Sequence, residues 1–247
     1  MRPSGPVRDT PVVILCGGRG TRLQEHTRSI PKPMVEIGGH PILWHVLQIF
    51  MAQRFRRFLL LTGYRGEQIE RFVARQTWPP GADIRCLDTG EQTPTGGRVQ
   101  RIAPELAGRQ FCLTYADGVA DIDLDALLAF HAAHAAQGAQ ATMTVVRPEL
   151  QFGVAELGED GVVRGFAEKP RSEHWINGGF FCLGPGVLEL LGPESVLERE
   201  PLAHLAASGG LRAFRHEGFW DCMDTYKDAV TLGDLWASGK APWKLWS

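Results

Sequence analysis

A run of purely apolar residues, Val12-Val13-Ile14-Leu15-Cys16, ends abruptly in Gly17-Gly18-Arg19-Gly20-Thr21-Arg22-Leu23. An apolar run of this length closed by glycine reads as a buried strand emptying into a loop. Behind it, strand-like and helix-like segments alternate. The pattern predicts a helix over Pro41–Gln53, with proline at the start where the missing N–H costs nothing. Next come a strand over Phe58–Thr62, a helix over Gly66–Arg75, a strand over Ile84–Leu87 and a short helix over Gly96–Leu106. A strand over Gln110–Tyr115, a helix over Asp125–Gln137 and a strand over Thr142–Arg147 continue the series. Such alternation implies an α/β fold, a Rossmann-like open, mostly parallel sheet with helices on both faces. From Phe152 the strands shorten (Gly153–Leu157, Val162–Ala167, Ile176–Leu183), and helices return at Gly186–Leu191, Pro201–Ser208 and Tyr226–Ser238. No linker separates the halves. Residues 12–247 are expected to form a single domain with an elaborated second half, behind a flexible extension over residues 1–11.

Composition narrows the function classes. The chain carries 26 Lys and Arg against 28 Asp and Glu, a formal charge of −2, which argues against a nucleic-acid groove. Five cysteines at 16, 86, 112, 182 and 222 show no paired spacing, so the expectation is reduced thiols in a cytoplasmic protein. No apolar run approaches the roughly 20 residues needed to span a bilayer, so no membrane partner is expected.

The glycine-rich loop carries the strongest chemical signal. Glycines at 17, 18 and 20 let the backbone curl and turn N–H groups toward an anion, and ligands of such sheets gather at the carboxyl ends of the strands. A Walker loop is absent, because no Gly-Lys-Ser/Thr follows at the required spacing. A dinucleotide fingerprint needs a small third residue where this chain has Leu23, which disfavours a dehydrogenase-type binder. Lys32 stands between Pro31 and Pro33, two residues that stiffen the backbone delivering its ammonium. Asp117, in Tyr115-Ala116-Asp117-Gly118, follows an apolar strand and suits a hard cation that takes oxygen ligands. Asp224, in Met223-Asp224-Thr225, reads from local sequence as either a second carboxylate or a helix N-cap. The eight histidines show no metal spacing; His131 and His134 lack partners for a zinc site. Trp220, Trp236, Trp243 and Trp246 are expected in core or in a subunit contact rather than as a stacking platform for bases.

These residues carry a resemblance. GGRGTRL, followed by PKPMVEIGGHPILWHVL, is similar to the sugar-1-phosphate nucleotidyltransferase family. The segments LDTGEQTPTGGRVQRI at 87–102, TYADGVADID at 114–123, GFAEKP at 165–170, INGGFF at 176–181, EGFWDCMDT at 217–225 and KAPWKLW at 240–246 resemble its cytidylyl branch. The resemblance covers nearly the whole chain. It implies a nucleotide site built from Gly17, Gly18, Gly20, Thr21, Arg22, Lys32, Gly97 and Arg98. It assigns Arg22, Lys32 and Asp117 to catalysis and Mg2+ to Asp117 and Asp224. It places Gly153, Glu168, Lys169, Asn177 and Gly178 around a sugar phosphate. Arg98 offers only donors, which suits a pyrimidine O2 or a phosphate, or it begins a solvated helix.

The implied reaction joins an NTP, CTP foremost, to a sugar 1-phosphate, glucose 1-phosphate foremost, releasing pyrophosphate; a homo-oligomer is implied as well. The segment Arg75–Arg85 is compact beside the family pattern, so UTP or dTTP as donor and a modified hexose or heptose phosphate as acceptor remain alternatives. A non-catalytic sugar-nucleotide binder is a further one. The attacking phosphate is already an anion, so no general base is required, and none stands out.

Overall fold

A computed structural model of the chain describes residues 7–18, 20, 29–106 and 108–246. Its strands are β1 (Val12–Leu15), β2 (Glu36–Ile37), β3 (His40–Pro41), β4 (Arg57–Thr62), β5 (Asp83–Asp88), β6 (Phe111–Tyr115) and β7 (Gly118–Ala120). They continue as β8 (Ala141–Val146), β9 (Val154–Leu157), β10 (Val163–Ala167), β11 (Ile176–Leu183), β12 (Leu211–Arg215) and β13 (Trp220–Cys222). The helices are α1 (Ile42–Ala52), α2 (Gly66–Arg75), α3 (Thr95–Arg101), α4 (Ala103–Leu106), α5 (Leu124–Ala135), α6 (Glu200–Ala207) and α7 (Tyr226–Ala237).

Among the described residues, seven strands form one sheet in the order β12-β8-β11-β6-β1-β4-β5. β1 runs parallel to both β4 and β6, and β5 adds to β4 in parallel. β12 lies parallel to β8, and β11 alone reverses direction between β6 and β8. The apolar character of β1 follows from its central place, since strands covered on both faces read as unbroken apolar runs. Its side chains alternate between two cores. Val12 and Ile14 face one with Phe50, Phe58 and Leu60, while Val13 and Leu15 face the other with Leu59, Leu61 and Val99. The mostly parallel α/β sheet is as expected, and it sets the carboxyl ends of β1, β4, β5 and β6 side by side.

Several details depart from the expectation. Residues 186–191 were expected to be helical; the chain there forms a 3₁₀ turn over Pro185–Leu190. β2, β3, β7, β12 and β13 were not anticipated. Part of the N-terminal extension, residues 1–6, lies outside the described residues. In the remainder, the Arg8 N–H donates to the Arg54 carbonyl at 3.0 Å, its Nε donates to the Gln53 carbonyl at 3.1 Å, and its guanidinium pairs with Asp125. β9 and β10 pair with each other as a hairpin standing clear of the core, with Phe152 and Phe166 exposed.

Three of the four late tryptophans pack within the chain, while Trp220 is half-buried and lines a cavity. Trp236, Trp243 and Trp246 gather around Trp44 and His45 of α1, tying α7 and the tail to the helix that follows the Lys32 segment. His45 is fully buried, with Nε2 2.9 Å from the Ile37 carbonyl, while Trp243 Nε1 donates to Nδ1 at 3.3 Å. One nitrogen donates and the other accepts, so the ring is neutral in a fixed tautomer. Burial pushes its pKa down to about 4 from 6.5. The unfolded chain therefore binds a proton at this site below pH 6.5 while the folded chain does not, until about pH 4. Stability is expected to fall by up to about 3 kcal/mol as pH drops through that window, and to fall less in His45→Gln. Denaturant titrations across the window check this; identical pH slopes in the two proteins would contradict it.

Candidate active site

A cavity of about 450 Å³ opens at the carboxyl ends of β1 and β6. Gly17, Gly18 and Gly20 line it, with Lys32, Asp117, Asp224, Arg98 and the segment from Glu91 to Thr95. Of the residues expected around the nucleotide, Thr21 and Arg22 lie outside the described residues. Gly97 is buried in α3 behind the cavity, where its N–H donates to the Ser195 carbonyl at 3.0 Å.

Three charged side chains expected from distant parts of the sequence meet here. Lys32 Nζ donates to Asp117 Oδ2 at 2.5 Å and to Asp224 Oδ1 at 2.6 Å. Lys32 begins a 3₁₀ turn, Lys32–Met34, entered from Pro31 in an extended conformation. The Pro31-Lys32-Pro33 spacing thus fixes the backbone that aims the ammonium. Asp117 sits in the tight link between β6 and β7. β7 pairs with β13, and the Met223 N–H donates to the Asp117 carbonyl at 2.9 Å, which sets Asp224 beside Asp117. Asp224 is not the cap of α7. Thr225 is, and Asp228 closes the capping box by accepting from the N–H groups of Asp224 at 3.0 Å and Thr225 at 2.6 Å. The Asp224 side chain is thereby left to reach Lys32. Burial opposes the charge on Lys32, but Asp117 and Asp224 outweigh it and hold the ammonium above its ordinary pKa.

Two carboxylate oxygens thus converge on one cationic centre. Among the described residues no third acidic, histidine or cysteine side chain completes a cluster. One or two carboxylates completed by water and substrate phosphate is the donor set magnesium takes, so the pair fits that ion.

Arg98 was expected to offer its donors to a base or phosphate. It is 4% exposed, so it is not solvated, and it forms part of the cavity wall. Nη1 donates to the Thr62 carbonyl at 2.9 Å and Thr89 Oγ1 at 2.7 Å. Nη2 donates to the Gly17 carbonyl at 3.1 Å and the Glu91 carbonyl at 3.2 Å. On the same wall, Tyr115 Oη donates to Glu198 at 2.6 Å, and Glu198 also accepts from Thr95 Oγ1 at 2.6 Å. The contributions of Tyr115 and Glu198 went unread in the sequence. Tyr115 ends a strand, which is a usable signal; Glu198 carries none.

The residues expected around a sugar phosphate do not line this cavity. Asn177 reaches its edge through Tyr115, donating from Nδ2 to the phenol oxygen at 3.2 Å, while its Oδ1 accepts the Gly179 N–H. The Gly178 carbonyl accepts from Trp220 Nε1 at 2.7 Å. Trp220 belongs to a second cavity of about 630 Å³, lined also by Lys169, Arg147, Arg171, Glu217 and Asp221. Gly153 and Glu168 sit at the base of the exposed β9–β10 hairpin. The two cavities flank one ribbon, with Trp220 and Asp221 on one side and Asp224 on the other.

The nucleotidyl transferase family profile matches residues 11–206. The glucose-1-phosphate cytidylyltransferases of Salmonella typhi and Salmonella typhimurium are each 41% identical to this chain over 95% of its length and 98% of theirs. HddC from Yersinia pseudotuberculosis shares the fold at a TM-score of 0.73 and 22% identity, over 92% of this chain and 99% of that one. With Lys32 and two carboxylates gathered beside a glycine loop, and with these relatives matched along nearly their whole length, the chain belongs to the nucleotidyl transferase family.

Proposed function

We propose that this enzyme transfers the cytidylyl group of CTP to glucose 1-phosphate, giving CDP-glucose and pyrophosphate. The observation that carries the reading is Lys32 held between Asp117 and Asp224 on the wall of one cavity with Gly17, Gly18 and Gly20. A phosphate oxygen of the sugar 1-phosphate attacks the α-phosphorus. The bond from that phosphorus to the oxygen bridging to the β-phosphorus breaks, and pyrophosphate leaves with the bonding electrons.

Two anions must approach, and their repulsion is the main barrier the protein addresses. Chemistry of this type depends on positioning and charge neutralisation more than on proton transfer. Lys32 supplies a fixed cation from a proline-stiffened turn. Arg22 is proposed to add a second from the glycine loop, whose N–H groups receive the phosphates. Asp117 and Asp224 would hold Mg2+, which when bound neutralises phosphate charge and orients the phosphate oxygens. Asn177, Gly178, Gly153, Glu168 and Lys169 are proposed to take the sugar phosphate along the ribbon between the two cavities.

The test is a matrix of the four common NTPs and dTTP against sugar 1-phosphates, read by pyrophosphate release. CTP with glucose 1-phosphate is expected to give the highest kcat/KM. Faster turnover with UTP or dTTP would move the base assignment, and faster turnover with a heptose phosphate the sugar. Silence across the matrix would defeat the reading.

A further inference from the structure

Arg98 poses a physical puzzle. Its partners among the described residues are three carbonyl oxygens and one hydroxyl, none a carboxylate. Burying a cation without a counter-charge is costly, and an apolar residue of similar size would fill the space more cheaply. The four acceptors identify what the guanidinium accomplishes. Gly17 follows β1, Thr62 ends β4, and Thr89 and Glu91 follow β5. One planar group on α3 therefore ties together the carboxyl ends of three adjacent parallel strands. Ligands of open α/β sheets sit at that edge. Two of the tied positions, Gly17 and Glu91, line the first cavity.

Both terminal nitrogens donate twice, which exhausts their four hydrogens. The fifth donor, the Nε–H, is the one these four bonds leave over. The neighbouring glycines confirm how closely the group is fitted. A Cβ on Gly17 would collide with the Arg98 guanidinium, and one on Gly63 would lie 2.7 Å from Nη1. Glycine at these two places makes room for Arg98, a requirement separate from the N–H groups that Gly17 and Gly18 present.

We propose that Arg98 is a positioning residue: through its Nη donors it holds the Gly17 loop and the 89–95 segment at the spacing the nucleotide requires. The inference rests on the proposed nucleotidyl transfer. A positioning role and a base contact differ in one measurable respect. Loosening the two walls weakens every nucleotide alike, whereas removing a base contact alters discrimination among them.

The experiment compares wild type with Arg98→Lys, Arg98→Met and Gly17→Ala, measuring kcat and KM for each NTP and for the sugar phosphate. Lysine keeps the charge but cannot make the four-way tie. Arg98→Lys is expected to raise nucleotide KM about tenfold and Arg98→Met about a hundredfold, by the same factor for every NTP, as lost hydrogen bonds would predict. Sugar-phosphate KM is expected to stay within about twofold, the nucleotide walls alone being disturbed. Gly17→Ala displaces the guanidinium, so combined with Arg98→Met it is expected to add little, because residues in contact are not additive. Amide hydrogen exchange in both Arg98 variants should quicken over residues 16–18 and 88–95 together, a readout independent of turnover that also serves if Arg98→Met folds poorly. A changed preference among NTPs, an unchanged nucleotide KM in Arg98→Lys, or fully multiplicative losses in the double variant would each overturn the assignment. Wild type inert toward every substrate pair would instead defeat the proposed reaction, and the exchange result would still decide whether Arg98 ties the walls.

Discussion

Lys32→Ala is expected to turn over at about a thousandth of the wild-type rate while remaining folded, a loss at the upper end for removing one preorganised charge stabiliser. The residue is placed for this effect. Its ammonium is mostly buried, its backbone is braced by two prolines, and Asp117 and Asp224 hold it charged. The same substitution has a second consequence that needs no substrate. Each facing carboxylate oxygen lies within 2.6 Å of the one nitrogen, so the two oxygens are at most about 5 Å apart. Like charges at that separation repel by about 3 kcal/mol at an effective dielectric of about 20. In metal-free buffer Lys32→Ala should therefore melt below wild type, and Mg2+ should raise its melting temperature by more than it raises that of wild type. Pyrophosphate release and thermal melts with and without Mg2+ check both halves. A variant retaining a tenth of wild-type turnover, or one whose melting ignores Mg2+, would show that Lys32 is not the charge at the centre of the site.

The central strands were legible because burial on both faces leaves apolar runs, VVIL of β1, the LLL of β4 and FCL of β6, too short for helices and closed by turn residues. The two-residue pair β2 and β3, and the three-residue ribbon β7 with β13, were not legible. Segments so short complete no period, and the pairing of β7 is decided by a partner about a hundred residues away. β12 escaped for a different reason. It lies at the edge of the sheet, and its arginines break the apolar signal. The candidate site divides the same way. Asp117 and Lys32 stood out from local context, a carboxylate after a strand and a lysine between prolines. Asp224 beside Asp117 came only from resemblance, because the Met223 to Asp117 bond that juxtaposes them spans the β7–β13 pairing. Arg98 was singled out, but the carbonyls that hold its guanidinium were not foreseen. Local sequence shows an arginine behind two glycines; it does not show that Gly17, 81 positions earlier, packs on the guanidinium.

Asp117→Asn and Asp224→Asn are each expected to lower turnover by about a thousandfold or more, and the double variant is expected to be little worse than either, as groups acting as one unit are not additive. Asparagine preserves the shape and removes the charge, so the fold is expected to survive. Asp117 keeps its carbonyl bond from Met223, and Asp224 its N–H bond to Asp228. The argument for non-additivity is geometric. Both carboxylates point at the single position now filled by the Lys32 ammonium, and they approach it from different elements, the β6–β7 link and the residue before α7. A divalent cation shared by the two carboxylates, beside the ammonium, needs both, since no third protein ligand is present among the described residues to hold it if one is lost. Losing either should therefore release that cation, and losing the second should find nothing left to remove. Titration with Mn2+, followed by its paramagnetic effect on water relaxation, separates affinity from catalysis: both single variants should lose binding together. Single-variant losses that multiply in the double variant, or one variant that keeps wild-type Mn2+ affinity, would mean that the two carboxylates serve different groups.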